Sequence, residues 1–218
     1  MTKTGDAARP PLDDLESASP VELVQRYQKP IMIGVIAAAV AGGGWWLAAR
    51  SAQIKEARGT EALLTAEAAY QAGGAAGAQA ELQKVYTRYA GTAAGTQAAL
   101  LSAQWYYEAG QADSGLASVA AAIDKAPTFQ RAGLLAMQAA GKSMKGDHAG
   151  AAKDLEAAAA ATNIASERDG YRMSAARAYV ASGDTAAAER IYGEIATRED
   201  SQYAGEARLR LSEIKAKA

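Results

Sequence analysis

Apolar and polar positions are distributed unevenly along this chain. Residues 31–49 read IMIGVIAAAVAGGGWWLAA, 19 positions without a charge. At about 1.5 Å of rise per residue, a helix of that length spans roughly 28 Å, close to the hydrocarbon thickness of a bilayer. Arg26 and Lys29 precede the stretch and Arg50 follows it directly. Trp45 and Trp46 lie near its C-terminal end, where indole rings favour the headgroup level. Pro30 falls at the expected first turn, where its missing N–H costs nothing. A buried core helix rarely runs this long with charges only at both ends. A cleavable signal would begin near the N-terminus, not after a tail holding five acidic residues. The pattern predicts a transmembrane anchor over 30–50.

The tail, residues 1–29, carries Pro10, Pro11 and Pro20 with scattered charge of both signs, a composition that favours disorder. One short amphipathic helix is expected within it, from Ser19 to Gln28. Ser19 would cap it, Pro20 would take its first helical position, and Val21, Leu23, Val24 and Tyr27 would form its apolar side. Within the anchor, Gly34, Ala38 and Gly42 recur at four-residue spacing. Such a small-residue face lets a second helix approach closely, and it is the expected contact face inside the membrane. Lys3, Arg9, Arg26 and Lys29 on one side nearly balance Arg50, Lys55 and Arg58 on the other, so charge alone leaves the orientation open.

Residues 51–218 follow a different period. The chain has 58 alanines, mostly here, and beyond Pro30 its one proline is Pro127. High helix propensity and few β-branched runs predict an all-α fold. Glycines recur at Gly73, Gly110, Gly146 and Gly183, spaced 37, 36 and 37 residues apart, each expected to end one helix before the next. Asp147 and Asp184 follow two of them as expected N-caps. Seven residues before the glycines stand Ala66, Ala103, Ala139 and Ala176, and five after stand Ala78, Gly115, Ala151 and Ala188, all small. Four before stand Ala69, Tyr106, Lys142 and Tyr179; nine after stand Leu82, Val119, Leu155 and Tyr192. Tyr89-Ala90-Gly91 and Tyr203-Ala204-Gly205 echo one another as expected helix openings. This small–aromatic–Gly–small–large–Pro order resembles the tetratricopeptide repeat over about residues 59–200. The resemblance implies an α-solenoid of about four helical hairpins, closed by a capping helix near 201–217. A generic alanine-rich bundle is the competing arrangement; the even glycine spacing favours the repeat.

Composition then removes several classes of chemistry. Lys and Arg number 23 against 24 acidic residues, so the basic face that nucleic-acid binding needs is missing. No cysteine is present, and the single histidine, His148, leaves little with which to build a metal site. Residues 136–143, AMQAAGKS, satisfy a relaxed phosphate-loop pattern. The preceding residues read as helix instead of strand, and Ala136 stands where the first glycine belongs, so nucleotide binding is set aside. His148 reads as a solvated first-turn residue and Glu199-Asp200 as solvated charge. The expectation is a protein that is not an enzyme and holds no cofactor, metal or nucleic acid.

A stacked repeat offers a surface for peptides or partner proteins. In the repeat register Tyr106 should pack inside its unit, while Tyr70, Gln104, Tyr107, Met144, Met173 and Arg177 should point toward the binding groove. Aromatics, Met and Arg suit adaptable protein recognition. A short tail, one spanning helix and a C-terminal repeat domain of this size resemble the YfgM family, through that layout, the Pro20–Gln28 helix, and stretches such as Tyr89–Gln104 and Arg208–Leu211. The resemblance implies an ancillary subunit of the bacterial Sec translocon in the inner membrane, N-terminus cytoplasmic and repeat domain periplasmic. Its implied partners are translocon subunits, secreted chains and periplasmic chaperones. The other reading is an accessory scaffold subunit of a respiratory or photosynthetic membrane complex, with Gly34, Ala38 and Gly42 as its contact face.

Overall fold

The computed structural model describes the backbone of residues 20–216 and the side chains of residues 32–216. The tail before Pro20, with the expected cap Ser19, lies outside the described residues, as do the side chains of the expected amphipathic face. The described residues are all helical apart from short connectors and contain no strand. We number the helices α1 (Pro20–Arg88), α2 (Ala93–Glu108), α3 (Ala112–Ile123), α4 (Thr128–Met144), α5 (His148–Ala161), α6 (Ala165–Ser182), α7 (Thr185–Ala196) and α8 (Ala204–Lys215). Two compact units divide between Ser51 and Ala52, one residue beyond the expected boundary.

The N-terminal unit is the first part of α1. Helical backbone passes through Pro30 without interruption. The expected short tail helix and the expected anchor are therefore one element, and Pro30 sits inside it, not in a first turn. A proline there removes one backbone donor, a loss that helices in apolar surroundings tolerate. From Met32 onward this helix is long and apolar enough to cross a membrane, and none of its most apolar window is buried. Met32, Ile33, Val35, Ile36, Val40 and Leu47 are each more than half exposed. An exposed apolar surface of that size marks a contact with a membrane or another protein.

In the helical unit, five glycines adopt positive φ: Gly74, Gly91, Gly110, Gly146 and Gly183. The first corrects the sequence reading by one residue. Gly73 is helical, and the break falls at Gly74, with φ 69° and ψ −168°, backbone open essentially to glycine alone. Measured from Gly74, the turn glycines are 36, 36 and 37 residues apart. Asp147 and Asp184 cap α5 and α7, accepting from the backbone N–H of Gly150 at 2.8 Å and of Ala187 at 3.0 Å. The Tyr-Ala-Gly echo does not persist in the backbone. Tyr89–Gly91 is a turn with Gly91 at φ +85°, whereas Ala204 and Gly205 lie within α8.

From α2 to α8 each helix packs on the next, α2 also touches α4, and the end of α1 joins α2 through Ala66, Leu82 and Val85. All eight small positions of the repeat register are buried: Ala66, Ala103, Ala139 and Ala176 before the glycines, and Ala78, Gly115, Ala151 and Ala188 after them. Leu82, Val119 and Tyr192 fill the larger positions at 1% exposure or less, and Leu155 packs on the same core. Two clusters result. One gathers Ala66, Leu82, Val85, Ala98, Ala103, Val119 and Leu134; the other gathers Met173, Ala176, Ala188, Ile191, Tyr192, Ile195 and Ala207. Glu56 ties the start of the unit to α2, accepting from Ala93 and Ala94 N–H at 2.9 and 3.0 Å, where a carboxylate also meets the positive helix end.

Candidate protein-binding surface

The six residues expected in one groove separate into two groups. Met173 is completely buried, within the core that also holds Ala176, Ile191 and Tyr192. A side chain buried in that core cannot line a groove, so the groove assignment is corrected. Tyr107 is corrected too. Its ring enters the space between α2, α3 and α4, where a Cβ on either Gly115 or Gly141 would collide with it. Its hydroxyl donates to the Met137 carbonyl at 3.1 Å. Burial pushes the Tyr107 hydroxyl up to about 12, since the ionised form would lose hydration there.

The other four reach the surface. Tyr70 is 39% exposed and stacks on Trp105, ring centroids 4.4 Å apart and planes inclined by 23°. Gln104 is exposed and donates to Glu108 at 2.9 Å along α2. Met144 is exposed at the last position of α4. Arg177 is exposed on α6 and pairs with Glu206 of α8 at 3.3 Å.

Arg177 borders a cleft of about 540 Å³ lined by Val180, Thr185, Tyr192, Arg210, Glu213 and Ile214. Val180, Tyr192 and Ile214 supply the apolar part of its lining. Arg177, Glu206, Arg210 and Glu213 form a run of ion pairs along its rim, with Arg210–Glu206 at 3.7 Å and Arg210–Glu213 at 3.1 Å. Desolvation raises the Tyr192 pKa. An apolar lining within a charged rim suits an apolar side chain from a partner, and exposed rim pairs contribute little stability that binding must give up. Sequence reasoning found Arg177 and took Tyr192 as a packing residue. It did not find Val180, Arg210, Glu213 or Ile214, because only the return of α8 against α7 brings them together.

On other faces polar groups serve packing. Tyr179 donates to Glu156 at 2.6 Å; that hydrogen bond, with desolvation, pushes the phenol up to about 12. Glu156 also accepts from Arg190 at 3.0 Å. Arg190 and Arg172 both pair with Glu194, whose carboxyl the Arg172 hydrogen bond holds below the usual range. Asp169, 2% exposed, accepts from Arg198 at 2.7 Å and from Ser201 at 2.6 Å, fastening α6 to the connector before α8. Lys142, the lysine of the phosphate-loop pattern, is helical and pairs with Asp154 at 2.7 Å. Among the described residues no cluster of His, Asp or Glu has a metal-binding arrangement. Gly34 and Gly42 of the expected membrane contact face have open space where a Cβ would stand.

Among the described residues these features define an all-helical protein with one helix, near the N-terminus, long and apolar enough to cross a membrane. The chain matches no family model, no curated protein and no solved structure.

Proposed function

We propose that this protein is a membrane-tethered adaptor without catalytic activity of its own: a single-pass anchor carrying a solenoid of four tetratricopeptide-like hairpins and a capping helix. The observation that carries the reading is the joining, in one chain, of an uncovered apolar helix of bilayer length to a helical unit whose turn glycines recur every 36–37 residues. A tether raises the local concentration of a weak binding module at its membrane, so a modest cleft suffices. Following the YfgM resemblance, the adaptor is an ancillary translocon subunit of the bacterial inner membrane. Its N-terminus is cytoplasmic, and its periplasmic repeat domain meets secreted chains and their chaperones. The open Gly34/Ala38/Gly42 face supports the second reading, a scaffold subunit of a respiratory or photosynthetic complex.

Two measurements test this. In intact spheroplasts an added protease should digest the helical unit; protection would place it in the cytoplasm and end the periplasmic assignment. After extraction in mild detergent, co-purification of Sec components supports the translocon reading, and a stoichiometric respiratory or photosynthetic complex replaces it with the scaffold reading.

A further inference from the structure

The stacked rings of Tyr70 and Trp105 join the later part of α1 to α2. Trp105 is half-buried against the core cluster of that region. It covers one face of Tyr70, so the exposure of Tyr70 belongs to its other face and its edges. Each ring has a carboxylate one helical turn away on its own helix, Glu67 before Tyr70 and Glu108 after Trp105. Positions three apart on a helix have Cβ atoms about 5–6 Å from one another. Helical side chains lean toward the N-terminus, so Tyr70 leans over the turn that holds Glu67, and Glu108 leans back toward Trp105. The Gln104 amide, which donates to Glu108 at 2.9 Å, holds that carboxylate along α2.

Basic residues do not offset these two acids. Residues 59–83 and 89–124 contain no Lys or Arg, and their acids are Glu61, Glu67, Glu81, Glu108, Asp113 and Asp124. Glu67 and Glu108 are exposed, and among the described residues neither is in an ion pair. The cations that border the region are already engaged or lie at a distance. Lys84 pairs with Glu81, and Arg88 lies over the Tyr89 ring. Arg58 stands twelve positions before Tyr70 on the same helix, about 18 Å away. The end of α2 meets the second half of α4, where Tyr107 touches Met137 and Gly141. In that half of α4 and its cap, Lys142 pairs with Asp154 and Lys145 with Asp113, while Arg131 stands in the first turn. The stack therefore sits in a locally anionic field on a chain whose net charge is only −1.

We infer that the open face of Tyr70, bracketed by Glu67 and Glu108, receives an arginine side chain of a bound polypeptide. A guanidinium lies flat on a tyrosine face and is attracted by its π-electrons. Its fork of N–H donors also suits a carboxylate beside the ring. An acidic side chain would be repelled here, and an aliphatic one would strip water from the carboxylates without replacing it. The site thus differs in chemistry from the cleft beneath Arg177, which suits an apolar side chain. The inference rests on the reading of the helical unit as a protein-binding module, and it names what one part of the partner must carry.

The test titrates the full-length chain, in an uncharged maltoside detergent, with acetyl-Gly-Arg-Gly amide and with its citrulline analogue, which keeps the shape of arginine without the charge. Binding is read by saturation-transfer NMR on the side-chain methylene protons. The arginine probe should bind about two- to fivefold more tightly than the citrulline probe, the weight of a cation–π contact at an exposed site. Tyr70→Leu, which still covers Trp105, should erase that ratio, and Tyr70→Phe should keep it. Glu67→Gln with Glu108→Gln should reduce it, as should raising the salt to 0.5 M. Helical circular dichroism on each variant confirms that the unit is folded. Equal binding of the two probes to the native chain, or a ratio that survives Tyr70→Leu, overturns the inference. So does tighter binding of acetyl-Gly-Glu-Gly amide. The adaptor reading is judged separately by what co-purifies: partners recovered equally with the native chain and with Tyr70→Leu leave that reading standing and count against the arginine site alone.

Discussion

Substituting Gly115 by alanine should destabilise the protein, although alanine is the better helix former. Gly115 is buried in the second turn of α3, and a Cβ there would overlap three atoms of the Tyr107 ring. Gly141 of α4 and Leu116 of α3 lie beside its hydroxyl end and limit how far the ring can shift. Overpacking of this kind costs about 1–3 kcal/mol, and the rigid ring argues for the upper end. Alanine returns about 1 kcal/mol of helix propensity over glycine. The net expectation is a loss of about 2 kcal/mol. In a Tyr107→Leu background the obstruction is gone while the propensity gain remains, so Gly115→Ala should there stabilise by about 0.5–1 kcal/mol. The assay is thermal or urea unfolding of the full-length chain in mild detergent, followed by circular dichroism at the helical band. For a unit of this size the first change lowers Tm by about 4–8 °C. The reasoning fails if Gly115→Ala is neutral in the native background, or if its effect has the same sign and size in both.

Gly74→Ala should cost about 1–3 kcal/mol, because its φ and ψ lie where a Cβ is strained despite open space around the residue; Gly73→Ala, in helical backbone, should be neutral or stabilising in the same unfolding assay. Asp169→Ala strands the Arg198 and Ser201 donors and should cost about 2–3 kcal/mol, with Asp169→Asn recovering part of it; equal stability of all three chains would refute a fastening role. Tyr107 and Tyr179 both ionise near 12 in the folded chain against 10 when unfolded, so the unfolded state releases its protons first. Their contribution is fully present below pH 10 and is lost as pH rises from 10 to 12; Tyr107→Phe with Tyr179→Phe should flatten that decline in urea titrations, and an unchanged slope would refute it. Glu56→Ala removes the acceptor of two α2 N–H groups and should cost about 1–2 kcal/mol, read as earlier loss of amide-exchange protection at Ala93 and Ala94.

What was legible in the sequence follows the range of the forces involved. Helix breaks and caps are local, and the turn glycines and the Asp147 and Asp184 caps could be read directly from spacing. The break falls at Gly74 and not Gly73, a choice the sequence leaves open because the pair Gly73-Gly74 offers two equivalent breakers. Pro30 departs from its local preference for a first turn, since the helix that begins at Pro20 runs through it. Groove and core were harder to separate. Tyr107 and Met173 occupy positions that register alone assigns outward; Tyr107 finds its space opposite Gly115 and Gly141, and Met173 finds its own in the core gathered from α4 to α8. Those spaces are properties of neighbours distant in sequence. The rim of the cleft was invisible for the same reason, since Arg177 and Arg210 approach only after α8 folds back.

The character of the core explains why so much depends on a few such residues. Of the 30 buried hydrophobic side chains among the described residues, 20 are alanine. Each alanine buries little more than one methyl group, on the order of 1 kcal/mol, and one alanine face fits another almost equally well after a shift of one turn. Alanine therefore allows helices to approach closely but specifies their register weakly. Register must come from what is not uniform. The Tyr107 ring against its two glycines is one such feature. The buried Ser102 hydroxyl, bonded to Gln79 of α1 at 2.7 Å and to Ser118 of α3 at 3.1 Å, is another. Glu56 on the α2 terminus and Asp169 on Arg198 and Ser201 complete the set, each joining two elements at one position only. Misaligning any of them by a turn would leave a buried polar group unpaired, which costs more than the alanine contacts could restore. In this fold, then, the polar ties choose the alignment that the alanine faces leave open, and the cleft beneath Arg177 and Arg210 depends on the α6–α8 alignment that Asp169 secures.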